Sequence, residues 1–128
     1  MTISTSVAKL AMISLDCADA GASAAFWSEV LGWKIGASGE GGYAMIVGDG
    51  PAVGFGTVPD YVAPAWPNEH GSKQFHFDLA VDDLDAAQTR CVELGATVPS
   101  EQPGETWRVL LDPPAGHPFC LTKAENWG

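Results

Sequence analysis

QFHFDLAVDDLDAAQTRCVELGATV, residues Gln74 to Val98, is the stretch whose reading decides the fold. Phe75, Phe77, Leu79 and Val81 alternate with Gln74, His76, Asp78 and Ala80, the period-two pattern of a two-faced strand. The period then changes. Leu84, Ala87, Cys91 and Leu94 recur at three- and four-residue spacing, as the buried stripe of a helix does. Asp82 or Asp83 is placed to cap its N-terminus, because a short carboxylate side chain accepts from the open N–H groups of a first turn. Gly95 is placed to end it, since glycine takes the left-handed conformation at low cost. Beyond it, Thr97–Pro99, Trp107–Asp112 and Phe119–Lys123 read as up to three further strands.

The same order occurs earlier in the chain. Leu10–Asp16 reads as a strand, Asp19 as an N-cap, and Trp27, Val30 and Leu31 as one face of a helix closed by Gly32. Lys34–Ala37, Tyr43–Gly48 and Ala52–Val58 read as three short strands separated by glycines. Asp19 aligns with Asp82, Leu31 with Leu94 and Gly32 with Gly95, each at an offset of 63. Each half therefore reads β-α-β-β-β. The expected organisation is a single domain over residues 1–128, with module one at about 7–58, a connector at 59–73 and module two at about 74–123. The fold class is α+β, with two sheets that must bury their faces against each other or against a second chain.

Composition narrows the partners. The 128 residues carry a formal net charge of −10, from 16 acidic and 6 basic side chains. Binding to nucleic acid rests on clustered Lys and Arg, so neither nucleic acid nor an anionic membrane surface is expected as a partner. The apolar run Leu10–Leu15 is only 6 residues long, and Lys9 alone makes a poor basic region for a secretory signal. A cytoplasmic protein is expected. Cys17, Cys91 and Cys120 are odd in number and widely spaced, with no CxxC pair, which fits buried thiols in a reducing compartment.

FWSEVLGWKI (Phe26–Ile35), HFDLAVDDLDAA (His76–Ala87), ELGATV (Glu93–Val98) and LDPPAGHPFCL (Leu111–Leu121) together resemble the vicinal oxygen chelate superfamily, the glyoxalase, bleomycin-resistance and dioxygenase group. The resemblance runs from about Val7 to Lys123 and implies two βαβββ modules curled into a cupped mixed sheet. A typical member holds a divalent metal there through His, Glu, His and Glu. Carried over residue by residue, those positions fall on Met12, Gly56 (with Phe55 or Thr57 if the register slips), His76 and Cys120. The resemblance thus leaves one ordinary hard-metal ligand, His76. Divalent metals of this kind want imidazole and carboxylate donors in a fixed array, and Met12 is a thioether while Gly56 has no side chain. No cofactor is expected on that count. The alternative is a rearranged divalent-metal site in which Asp78, two residues from His76 on the same strand face, substitutes.

His76 reads either as a cavity residue that binds a ligand or moves a proton, or as a core histidine bonded to Asp78. Asp78 reads either as the group orienting that imidazole or as a solvated carboxylate at a cavity mouth. Cys120 reads as an inert buried thiol more readily than as a nucleophile. The candidates for ligand contact are Met12, Ser14, Gly56, Trp66, Trp107, Arg108 and Cys120. Trp27 is read as core, and His70 and His117 as solvent-facing. Two functions follow from the resemblance. One is a metal-free small-molecule binder that sequesters a drug or natural product, as a homodimer. The other is an isomerase, lyase or cyclase using His76 as acid or base.

Overall fold

The computed structural model describes residues 7–39, 42–66 and 75–127. The first half runs β1 (Met12–Cys17), α1 (Ala20–Leu31), β2 (Lys34–Gly39), β3 (Tyr43–Val47) and β4 (Ala52–Thr57). The second runs β5 (Phe77–Val81), α2 (Leu84–Glu93), β6 (Trp107–Leu111) and β7 (Pro118–Lys123), followed by a 3-10 turn at Ala124–Trp127. The strands form two sheets, in the orders β1-β4-β3-β2 and β5-β7-β6. In each, the first and last strands of the half lie side by side and parallel, and the other pairs are antiparallel. This is the α+β, two-module arrangement expected from the repeat.

Local chemistry sets the helix ends. Asp19 accepts from the Ala22 amide at 3.1 Å, and Gly32 closes α1 at φ 68°. Asp83, not Asp82, caps α2 through the Ala86 amide at 3.0 Å. The repeat is therefore not rigid in its offset: α1 has 12 residues and α2 has 10.

Two expectations change. The proposed strand at Thr97–Pro99 is reduced to a single bridge, Thr97 to Leu111. The outer edge of β6 is completed instead by a side chain. Gln102 Oε1 accepts from the Val109 amide at 2.8 Å, and Gln102 Nε2 donates to Val109 O at 2.9 Å. One carboxamide thus does for β6 what a neighbouring peptide group would do. Phe75 does not join the buried face of β5, which begins only at Phe77; Phe75 is fully exposed. Part of the connector, residues 67–73, lies outside the described residues, as do Gln74 and His70.

The core is continuous between the halves, and α1 is its centre. Trp27 is 1 % exposed and makes edge-to-face contacts with Phe26, Phe77 and Phe119 at ring centroid distances of 5.1, 5.2 and 4.8 Å. It therefore joins a helix of the first half to two strands of the second. Each such aromatic side chain contributes roughly 1.5–3 kcal/mol by leaving water. Ile46, Val53, Phe55 and Cys17 complete the core under the first sheet, and Leu110, Leu121 and Cys91 under the second.

Candidate functional site

The strand registers sort side chains between core and open face. In the first sheet Met12, Ser14 and Asp16 share a face with Ala52, Gly54 and Gly56, while Val53 and Phe55 point into the core. In the second sheet Asp78 stands opposite Cys120, and Val109 opposite Cys120 on its other side. Phe77, Phe119 and Leu121 occupy the core face.

β1 and β5 are terminal strands of their two sheets. A cavity of about 480 Å³ lies along them. Leu10, Met12, Ile13, Ser14 and Leu15 line it from the first sheet, and Phe75, His76, Phe77, His117 and Pro118 from the second. Trp27 is shared by the core and the cavity wall. Apolar surface dominates, and Ser14, His76 and His117 contribute the polar side chains. Several apolar residues here are unusually open to solvent: Leu10 at 63 %, Met12 at 43 % and Phe75 at full exposure.

Next to this cavity, His76 Nε2 lies 3.2 Å from Asp78 Oδ1. The donor atoms of His76, Asp78 and Cys120 all fall within 4.8 Å of one another. His76 belongs to both the cavity and this cluster. Cys120 is buried at 1 % exposure, and its side of the cluster is closed, whereas the Asp78 side chain is 40 % exposed. None of the three cysteines is in a disulfide. Burial raises the thiols of Cys17 and Cys91 above the ordinary value, which keeps them protonated and unreactive.

The other candidate residues disperse. Met12 and Ser14 line the cavity. Gly56 lies on the same open face, and a Cβ built on it meets nothing within 4 Å. Arg108 is turned to the opposite side, where its guanidinium meets Asp85 of α2 at 3.5 Å. The register sets Arg108 against Leu121, away from the cavity wall. Trp66 and Trp107 are half-buried and not part of the cavity wall.

His117 corrects another expectation: it is half-buried, not solvent-facing. Its Nε2 donates to Asp16 O at 2.6 Å, joining the β6–β7 turn to β1. The carbonyl can only accept, so the ring proton sits on Nε2. The backbone amide of His117 donates to Asp112 Oδ1 at 2.6 Å, and Tyr61 Oη donates to Ala115 O at 2.8 Å. Burial, reinforced by the charge of Asp112, pushes the Tyr61 phenol up to about 12. The His117–Asp16 bond thus joins the two sides of the cavity.

With this geometry in view, the comparisons with known proteins are consistent. The family model of the Glyoxalase-like domain matches residues 12–122. The chain belongs to that family. No curated protein matches it. Among solved structures, a glyoxalase/bleomycin resistance protein/dioxygenase family enzyme from Burkholderia phytofirmans PsJN is similar at 17 % identity and a TM-score of 0.68, covering 91 % of this chain and 99 % of that one. Lactoylglutathione lyase from Agrobacterium tumefaciens is similar at 21 % identity and a TM-score of 0.62, covering 98 % and 99 %. Oxidase ChaP-H2 is similar at 18 % identity and a TM-score of 0.63, covering 92 % and 94 %. At these identities the likeness establishes the fold alone.

The metal array implied by the family resemblance does not fit these residues. Met12 and Gly56 provide no imidazole or carboxylate from the first sheet. Among the described residues, the candidate donors that converge are His76, just before β5, Asp78 on β5 and Cys120 on β7.

Proposed function

We propose that this protein binds a small, largely apolar organic molecule in the cavity between β1 and β5, with His76 as the principal polar contact. The observation that carries this reading is the cavity itself. Its volume of about 480 Å³ falls in the usual range for small-molecule sites, roughly 300–1,000 Å³. Its walls are aliphatic and aromatic, with a few polar groups to fix orientation. The exposed Leu10, Met12 and Phe75 at its margin have the character of a surface awaiting an apolar partner. The net charge of −10 favours neutral or cationic ligands over anions. Sequestration of a drug or natural product is the role that follows.

Nile red, a neutral apolar dye, tests the cavity directly. Saturable binding with a single site and a blue-shifted emission is expected. Ser14→Trp places a large ring at an exposed position of the wall and is expected to abolish that binding while the fold persists. Absence of saturable binding, or binding indifferent to Ser14→Trp, would overturn the reading.

The His76–Asp78 pair supports a second reading, catalysis. A carboxylate 3.2 Å from one ring nitrogen can orient the imidazole. His76 would then act as general acid or base in isomerase, lyase or cyclase chemistry. Conversion of a bound compound, lost in His76→Ala with binding retained, separates this reading from sequestration.

A further inference from the structure

We infer that the cavity takes its ligand as an added strand: a short, apolar chain of secondary amides that pairs with the free edge of β1 at Met12 and Ser14. The inference rests on the cavity reading and names its ligand class.

The lining shows which side of the strand the cavity follows. Side chains alternate between the two faces of a strand, so a cavity over one face meets every second residue. Here Met12, Ile13, Ser14 and Leu15 line it in succession, as do Phe75, His76 and Phe77 across from them. The cavity therefore runs along strand edges rather than over a face.

The bonds of β1 show what that edge carries. Along a strand, the N–H and C=O of one residue point to one side and those of the next residue to the other. Ala11 O accepts from the Ala52 amide at 3.1 Å, and Cys17 O from the Val58 amide at 3.0 Å. Odd-numbered residues of β1 are thus bonded towards β4, and Met12, Ser14 and Asp16 turn their peptide groups away from it. The carbonyl of Asp16 follows this parity, since it accepts from His117 Nε2 on the far side of the cavity. In β5, Leu79 O accepts from Thr122 Oγ1 of β7 at 3.0 Å, so Asp78 turns away from β7. Yet β1 and β5 belong to different sheets, and no ladder joins them. Among the described residues, nothing pairs with the peptide groups that Met12 and Ser14 turn to the cavity.

These groups select the occupant. A ligand covering the edge must return both donors and acceptors, or leave peptide groups buried and unpaired. Secondary amides supply both at the spacing of the strand itself, which is how extended peptides add to an open sheet edge. Side groups of such a chain alternate between the face of Met12 and the face of Ile13 and Leu15, so both sets meet apolar surface. The volume of about 480 Å³ admits a short chain and not a folded partner. The net charge of −10 disfavours a free carboxylate on it.

The test uses wild-type protein and N-acetyl-leucyl-valyl-leucinamide, an apolar peptide with both ends blocked. Saturable binding is expected in calorimetry. The matched depsipeptide, with ester oxygens in place of the backbone N–H groups, keeps the shape and loses the donors. It should bind about 10-fold more weakly or worse, because acceptors on β1 are then buried unpaired. Hydrogen exchange locates the contact. The Ile13 and Leu15 amides, bonded to β4, should exchange slowly with or without peptide. The Ser14 amide should exchange fast in the free protein and slow about 10-fold when free peptide stands at about ten times its Kd. The inference is overturned if the peptide does not bind saturably, if the depsipeptide binds as tightly, or if Ser14 exchange is unchanged in the complex. Nile red carries no N–H and reports on the cavity alone, so failure of the peptide with Nile red still bound overturns this inference and leaves the cavity reading standing.

Discussion

Trp27 Nε1 donates to Asp112 Oδ2 at 2.8 Å, a buried bond between a helix of the first half and the turn after β6 in the second. Asp112 is 3 % exposed and also accepts from the His117 amide. One carboxylate thus anchors the indole at the cavity wall and the backbone of the turn that carries His117. Asp112→Ala removes the acceptor from two donors at once. Each buried group left unpaired costs about 1–3 kcal/mol, so a loss of about 3 kcal/mol is expected. Asp112→Asn should lose less, because its one oxygen still serves one donor. Urea unfolding with an unchanged m-value checks both.

The same carboxylate makes stability depend on pH. Burial raises Asp112 above its ordinary value of 3.8, against the opposing pull of the Trp27 and His117 N–H groups. Between 3.8 and the raised value, the folded state binds more proton than the unfolded state. Stability contributed by this group therefore falls as pH rises through that window, and is level on either side. The difference in unfolding free energy between wild type and Asp112→Asn should shrink from pH 3.8 upward and then flatten. A difference that grows with pH would contradict the burial argument.

The parts legible from sequence were those governed by short-range rules. Asp19 and Gly32 mark α1 because caps act within one turn. His76 and Asp78 share a face because strands alternate. Cys120 joined them only through the family resemblance, as its partner strand lies 42 positions away by register. His117 was misread because its partner, Asp16 O, is 101 residues distant and nothing local signals it. Phe75 was misread because alternation continues past the point where β5 loses its neighbour. Thr97–Pro99 has strand-like composition, but the ladder position opposite Val109 is taken by Gln102.

Gln102 makes a testable substitute for a strand. Its carboxamide forms bonds of 2.9, 2.9 and 2.8 Å with Pro99 O, Val109 O and the Val109 amide. Gln102→Ala should cost about 1–3 kcal/mol by leaving the buried backbone of Val109 unpaired. Gln102→Glu keeps the acceptor and loses the donor, so it should fall between. Hydrogen exchange at the Val109 amide should accelerate in Gln102→Ala ahead of the rest of β6.

Gly42, in the turn between β2 and β3, and Gly56, in β4, should respond oppositely to alanine. Gly42 sits at φ 79°, and an added Cβ would approach the Thr57 side chain at 2.9 Å. Gly42→Ala should destabilise by about 1 kcal/mol or more, since the conformation itself is unfavourable for other residues. Gly56 has an ordinary strand backbone and open space at its Cβ. Gly56→Ala should be neutral or stabilising by up to about 1 kcal/mol, because alanine gives up less freedom on folding. Thermal midpoints of the two variants moving in the same direction would be inconsistent with this account.

Tyr61 ties the connector to the turn bearing His117, through its bond to Ala115 O. Tyr61→Phe removes only that hydroxyl and should cost about 1 kcal/mol. The phenol ordinarily ionises at 10.0 and is pushed up to about 12 here. A raised folded value means that its contribution is complete below pH 10 and is lost as pH climbs to about 12. Wild type should therefore lose its advantage over Tyr61→Phe across that interval. Absorbance of the Tyr61 phenolate, followed at constant fold in Tyr43→Phe, should rise only as pH approaches about 12. A Tyr61 phenolate signal centred near pH 10.0 would mean that this phenol is not buried against the turn as its bond to Ala115 requires.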